Sequence, residues 1–179
     1  MDNIHSILIK KANGNTVYNS YGDFSMACLN FPFKVTGDTK ELPANDWKDE
    51  NGLDVYIPSS LPLKAYDITV EFGYVGQDLS SGTPNVINAM NAAMAFFKFL
   101  TGHSGSGGSG AELTIYSPYT GIGRKSIYAV KMDNEKARFM LKQDMANLYN
   151  ENVLTFNVTF RVCDPLTQVT LNENTSLNE

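Results

Sequence analysis

Two segments of strict alternation constrain the fold of this chain more than any other feature. In Tyr66–Tyr74 every second residue is apolar, and the same pattern returns in Leu154–Cys163. A period of two places alternate side chains on one face of a β-strand, so each segment predicts a strand with one face on a core. Long alternating strands are typical of antiparallel sheets, whose other face is wetter. We therefore expect a mainly β fold.

Weaker strand patterns accompany these two segments, and turn signals such as Asn13-Gly14 and Asn51-Gly52 separate them. Ala137–Met145 is ambiguous, because its residues are also good helix formers. The weaker strand runs are Ile4–Lys10, Phe24–Phe33, Leu53–Ile57, Leu113–Tyr116, Ser126–Met132 and Ala137–Leu141.

One segment, Pro84–Leu100, predicts a helix. Thr83 can cap its first turn, Pro84 suits the first helical position, and Gly102 is a stop signal. Apolar residues recur at steps of three and four, which defines a stripe on one face. The stripe consists of Val86, Met90, Ala93, Phe97 and Leu100. The predicted fold class is therefore α+β, mainly β, with one α-helix that lies across an antiparallel sheet.

Length and charge narrow the class of protein. The 179 residues suit one domain, predicted over 1–171, with a polar, frayed tail at 172–179. Nineteen acidic against 14 basic residues argue against a nucleic-acid binder that relies on phosphate contacts. No run approaches the roughly 18 apolar residues of a membrane helix. Met1–His5 lacks the features of a signal peptide, so we expect the chain to stay in the cytoplasm until it is assembled.

Residues suited to catalysis or metal binding are few. The two histidines, His5 and His103, show no metal-ligand spacing, and we predict neither a metal nor a cofactor. The Gly/Ser stretch 104–110 follows the predicted helix, whereas a phosphate-binding loop precedes one. We interpret it as a flexible loop, native or engineered, that is too mobile to hold Ser106 as a nucleophile. Cys28 and Cys163 lie in strand-like runs as apolar fillers. We predict that the chain is not an enzyme.

The polar segment Gly37–Gly52 contains the chain's single tryptophan, Trp47. A tryptophan on such an arm is often an anchor in a partner's pocket. In the alternative interpretation, Trp47 folds back onto its own sheet.

Several short motifs, in their order along the chain, resemble the N-terminal domain of siphophage distal tail proteins. They are Gly22-Asp23-Phe24, the lead-in Ser60–Ala65 before the alternating strand, Tyr128-Ala129-Val130-Lys131, and the terminal Phe160–Pro165 with its Asp-Pro close. Ser25 departs from the pattern, since the family's early motif has a glycine there. The chain also resembles tail-tube proteins, because related folds recur in tail tubes and hubs.

The resemblance implies an antiparallel β-sandwich or curled barrel with the helix packed on it. It also implies a structural protein of the virion tail, assembled in the host bacterial cytoplasm. It implies a homohexameric ring between tail tube and baseplate, with other tail proteins as partners and DNA only as passing cargo. It implies neither a membrane nor a small-molecule substrate. We expect Trp47 to reach an adjacent subunit and a strand edge to be supplied by Asp54, Val55, Tyr56 and Ile57.

Three alternatives stay open. The first is a carbohydrate-binding β-sandwich module that uses exposed Tyr and Trp. The second is another tail protein, of the tube or the completion and terminator type. The third is a small esterase or glycosidase.

Overall fold

One seven-stranded antiparallel sheet forms the body of the protein in the computed structural model, which describes residues 5–31, 33–75, 86–103, 110–143 and 150–173. The sheet order is β2-β1-β7-β8-β9-β6-β3, and β4 with β5 forms a separate two-stranded sheet. The strands are β1 (Leu8–Lys11), β2 (Val17–Asn19), β3 (Met26–Cys28), β4 (Ala44–Asn45), β5 (Asp54–Val55), β6 (Tyr66–Tyr74), β7 (Leu113–Tyr116), β8 (Gly123–Gln143) and β9 (Asn150–Val162). The helices are α1 (Ser20–Phe24) and α2 (Val86–Leu100).

The two alternating segments are neighbours at the centre of this sheet. β6 and β9 pair antiparallel from Tyr66 opposite Val162 to Gly73 opposite Thr155. The apolar side chains from Tyr66 to Phe72 and from Leu154 to Val162 are buried in one core, and the residues between them are exposed or half-buried. The predicted α+β class, mainly β with a packed helix, is confirmed.

The sheet curls back on itself. The backbone N–H of Cys28 in β3 donates to the carbonyl oxygen of His5, at 2.7 Å. His5 leads into β1, which lies five strand positions from β3 and would be about 24 Å away in a flat sheet. Of the two predicted arrangements, this contact favours the curled barrel.

Helix α2 packs its phenylalanines onto the concave side of the sheet. Phe96 lies 5.0 Å from Phe72 and Phe97 lies 4.9 Å from Phe156, between ring centroids, in edge-on contacts. Gly102 ends the helix with a positive φ of 79°, as predicted. The proposed cap, Thr83-Pro84, lies outside the described residues.

The predicted apolar stripe of α2 is wrong in part. Met90 is 42% exposed, whereas Ala89, Phe96 and Phe99 are buried beside the correctly predicted Ala93 and Leu100. Most positions around this helix are themselves apolar. The spacing of apolar residues therefore does not determine which face of the helix packs against the sheet.

The structure adds a short second helix, which the prediction of one helix missed. The predicted strand run Phe24–Phe33 is a strand only over Met26–Cys28, since Phe24 closes α1. The Asn19 side chain caps α1 by accepting from the N–H groups of Tyr21 and Gly22. A five-residue helix gives too little periodicity to be predicted from apolar spacing.

Strand β8 joins two predicted runs, Ser126–Met132 and Ala137–Leu141, into one strand of 21 residues. It pairs with β9 as far as Gln143 opposite Asn150, with register shifts after Ala129 and Asp133. The ambiguous segment Ala137–Met145 is therefore a strand as far as Gln143, and the rest of it lies outside the described residues. Pairing with β9 overrides its helical propensity.

Candidate assembly surface

Residues 38–64 form a hairpin outside the main sheet, which we call the arm. Near its root, Lys64 N–H donates to Asp38 O at 2.7 Å and Lys40 N–H donates to Pro62 O at 2.8 Å. Farther out, β4 and β5 form the two-stranded sheet. The arm turns back near Trp47, whose carbonyl oxygen accepts the N–H of Glu50 at 3.2 Å. The segment thus has its own backbone order without a core of its own.

Large apolar side chains on the arm are exposed. Trp47 is 56% exposed, Tyr56 75% and Ile57 71%, and Leu53 and Leu61 are exposed as well. Five large apolar side chains are thus exposed on one hairpin, and a surface that exposes several such side chains is a candidate for binding a partner. The exposure of Trp47 also shows that it does not fold back into the core.

Residues 38–54 of the arm carry most of the net charge, and Lys64 at its root adds one positive charge. Residues 38–54 contain six acidic and two basic residues, whereas the rest of the chain contains 13 and 12. The acidic residues are Asp38, Glu41, Asp46, Asp49, Glu50 and Asp54, and the basic ones are Lys40 and Lys48. Two arms facing each other would therefore repel.

All five residues predicted to contact a partner lie on this one hairpin. Trp47 lies at the turn, Asp54 and Val55 form β5, and Tyr56 and Ile57 follow it. The predicted strand Leu53–Ile57 is shortened to two residues, and it belongs to the two-stranded sheet instead of the main one. The structure thus unites in the arm two features that the sequence analysis treated separately.

A buried arginine, Arg124 at the start of β8, joins the root of the arm to the body. It is 4% exposed. Its Nη2 donates to the carbonyl oxygen of Val35 at 2.8 Å, and its Nη1 donates to Oε1 of Gln168 at 2.6 Å. The Tyr66 hydroxyl lies close by: burial raises its pKa, and the positive charge of Arg124 acts in the opposite direction.

A second buried cation, Lys11, lies at the C-terminal end of α2. Its ammonium donates to the carbonyl oxygen of Phe99 and, at 2.8 Å, to that of Gly110. Burial lowers its pKa. A cation is favourable at a helix C-terminus, so Lys11 fastens the end of α2 to the segment before β7. Sequence analysis missed it, although alternation from Ile7 and Ile9 places residue 11 on the core side.

A cavity of about 270 Å³ gathers the polar groups that could suggest catalysis. It lies where the sheet curls closed, and its lining includes His5, Cys28 and Ser117. Burial raises the pKa of Cys28 to about 12, and the thiol donates to the carbonyl oxygen of Asn30 at 2.8 Å. Cys28 is therefore a protonated thiol at neutral pH and not an activated nucleophile.

Other groups around the cavity have structural contacts. Ser117 Oγ accepts the N–H of Thr120 at 3.3 Å, and His5 Nδ1 lies 3.4 Å from the carbonyl oxygen of Cys28. Among the described residues, no group of three or more His, Cys, Asp or Glu side chains could hold a metal ion. Ser106, considered above as a nucleophile, lies outside the described part of the chain.

Comparison with known proteins assigns no family, since no family model and no curated protein matches the chain. Within the described ranges, no helix is both long and apolar enough to cross a membrane. The fold and the arm define a class, a mainly β protein with an acidic hairpin that exposes large apolar side chains.

Proposed function

We propose that this chain is a structural component of a phage tail whose copies assemble into a ring through the arm. The ring joins the tail tube to the baseplate or hub, as the resemblance to distal tail proteins implies. The observation that carries the proposal is the arm itself, which exposes Trp47, Tyr56 and Ile57 and packs none of them into its own core.

The charge of the arm favours a ring over a two-fold dimer. A two-fold contact through the arms would bring together two hairpins that each carry an excess of four acidic residues between 38 and 54. Docking of an arm on the nearly neutral body of the next copy avoids that repulsion. Such a head-to-tail contact uses two different surfaces, and repetition of it closes into a ring when the rotation allows.

The apolar side chains of the arm contribute favourably to assembly. Burial of one large apolar side chain contributes about 1.5–3 kcal/mol. Trp47, Tyr56 and Ile57 together therefore offset a substantial part of the free energy that association costs. The hydrogen-bonded hairpin lowers that cost further, since its backbone is ordered before it binds.

The test is the mass of the particles in solution after replacement of one anchor. Trp47→Ala should shift concentrated protein from rings toward single chains, measured by light scattering after gel filtration. Tyr119→Ala is the matched control, because Tyr119 is 71% exposed but lies in the turn between β7 and β8. Rings that persist unchanged in Trp47→Ala would count against the arm.

The carbohydrate-binding alternative predicts a different result in the same experiment. A module of that kind stays monomeric and binds glycans, so a glycan array on the same preparation separates the two. Glycan binding by a protein that stays a single chain, lost in Tyr119→Ala or in Trp47→Ala, would favour the glycan module over assembly.

A further inference from the structure

We infer that Arg124 is a positioning residue that fixes the direction in which the arm leaves the sheet. The effect on ring closure rests on the proposed function, whereas the orientation of the arm is a property of the single chain. It follows from the contacts that meet at the guanidinium.

The guanidinium of Arg124 ties three segments together. Nη1 donates to Gly123 O at 3.0 Å, within β8, and to Gln168 Oε1 in the C-terminal segment. Nη2 donates to Val35 O, three residues before the arm. The N–H donors of a guanidinium lie in one rigid plane. The hydrogen bonds of Nη1 to Gly123 and Gln168 therefore also fix the direction in which Nη2 donates to Val35. The arm root is thus oriented with respect to β8.

Gln168 completes this arrangement from the other side. While its Oε1 accepts from Arg124, its Nε2 donates to the carbonyl oxygen of Gly121 at 2.7 Å. The side chain therefore links the guanidinium to the turn before β8. Loss of Gln168 leaves Arg124 with fewer constraints but does not remove its charge.

Close packing at the root leaves little room for another arrangement. A Cβ on Gly37 would lie 2.5 Å from Lys64 O and 3.0 Å from Pro165 Cβ. The two ends of the arm and the C-terminal segment thus meet without space for a side chain at residue 37. Arg124 reaches this junction through Val35, whose carbonyl oxygen accepts from Nη2 two residues before Gly37.

The charge of Arg124 is not matched by an acid. None of the hydrogen bonds that the structure describes for its guanidinium goes to a carboxylate, and its buried Nε has no partner there. A buried cation is costly unless it is well hydrogen-bonded, and an apolar side chain of similar size would avoid that cost. A role in orienting the arm explains the arginine at the arm root. Its forked guanidinium can donate to carbonyl oxygens that approach from two directions.

The experiment uses Trp47, the chain's single tryptophan, as a reporter built into the arm. Fluorescence anisotropy decay of dilute, unassembled protein measures whether the arm rotates with the body or by itself on the nanosecond scale. In Arg124→Lys, a point charge replaces the fork, and we expect an added fast component with the fold retained by circular dichroism. Gln168→Ala should give the same change at smaller amplitude. It replaces Arg124→Lys in the measurement if that variant does not fold.

The matched control is Arg161→Lys. Arg161 also makes a two-point contact, to Asp67 on the outer face of the sheet, but it touches no residue of the arm in its described contacts. It should leave the anisotropy decay of Trp47 unchanged. A decay that is identical in wild type, Arg124→Lys and Gln168→Ala overturns the inference.

The consequence for assembly is measured separately. The protein concentration that gives half-maximal ring formation should rise roughly tenfold in Arg124→Lys, since loss of one hydrogen bond from a charged donor leaves the arm in the binding orientation in roughly a tenth of the molecules. If wild type never forms rings but Arg124→Lys still frees Trp47, the inference holds and the proposed function fails. If wild-type rings form and the variant's arm stays rigid, the proposed function holds and the inference fails.

Discussion

Gly123 and Val169 pack backbone against backbone. The N–H of Val169 donates to the carbonyl oxygen of Gly123 at 3.2 Å, and a Cβ at residue 123 would lie 2.0 Å from the carbonyl oxygen of Val169. This contact holds the C-terminal segment against the start of β8, next to Arg124. It makes the absence of a side chain at residue 123 a structural requirement.

Gly123→Ala should therefore displace the C-terminal segment and lower the free energy of unfolding by about 1–3 kcal/mol, since backbone atoms must move to admit the methyl group. Urea unfolding measures this change. Gly22→Ala is the control: its new Cβ would meet the Asn19 side chain at an ordinary 3.8 Å, within α1, where alanine is the better helix former. Equal stability of wild type and Gly123→Ala would contradict the packing described here.

Phe96 holds α2 on the sheet. It is completely buried and contacts Phe72 and Phe24, with ring centroids 5.0 and 5.2 Å away. Phe96→Ala should lower the free energy of unfolding by about 3–5 kcal/mol, because it leaves a cavity in the core. Met94→Ala, on the exposed face of the same helix, should change it by no more than about 0.5 kcal/mol. Similar losses in the two variants would show that the helix faces have been assigned wrongly.

The buried thiol of Cys28 predicts a pH dependence. Burial raises its pKa from 9.0 to about 12, so between these values the unfolded chain loses a proton that the folded chain retains. Folded-state stability from Cys28 is therefore fully present below about pH 9 and is lost as the pH rises toward 12. The stability advantage of wild type over Cys28→Ala should fall by about 1.4 kcal/mol between about pH 8 and pH 10.

Denaturant titrations of both proteins at the two pH values measure this difference. Cys163→Ala is the matched control, since its thiol is exposed, and it should follow wild type. A gap between wild type and Cys28→Ala that stays constant with pH would mean that the Cys28 thiol is not buried as described.

Tyr56 and Ile57 should matter for assembly and not for folding. Both side chains are exposed in the single chain, so serine at both positions should leave the free energy of unfolding within about 0.5 kcal/mol of wild type. If each is buried between copies, the double variant should weaken assembly by at least about a hundredfold. Leu166→Ser, an exposed residue of the C-terminal segment, should assemble as wild type does.

Salt distinguishes apolar assembly from ionic assembly. In about 1 M salt the Debye length falls to about 3 Å, which screens the repulsion between acidic arms and leaves apolar burial intact. Particles held by the arm should therefore persist at that salt concentration, as light scattering would show. Dissociation would indicate that charge pairs, and not Trp47, Tyr56 and Ile57, carry the contact.

The best-predicted parts of the fold are those in which local pattern and tertiary contact agree. The alternation of Tyr66–Tyr74 defines β6 to the residue, because both of its neighbours in the sheet, β9 and β3, support the same strand. The face of α2 was predicted only in part, since Met90 and Ala89 are both apolar and only packing distinguishes them.

The arm was predicted in pieces for a physical reason. Trp47 and Tyr56 differ in local pattern, and their membership of one hairpin depends on backbone pairings such as Ala44 with Val55. Arg124 could not be predicted, because an arginine in a strand is usually exposed. Its burial depends on Val35 and Gln168, which are distant in sequence.

The most direct test of the central claim is negative-stain imaging of concentrated wild-type protein, combined with native mass spectrometry. We expect annular particles of six copies in wild type, and their loss in Trp47→Ala. A wild-type protein that stays a single chain at every concentration would contradict it.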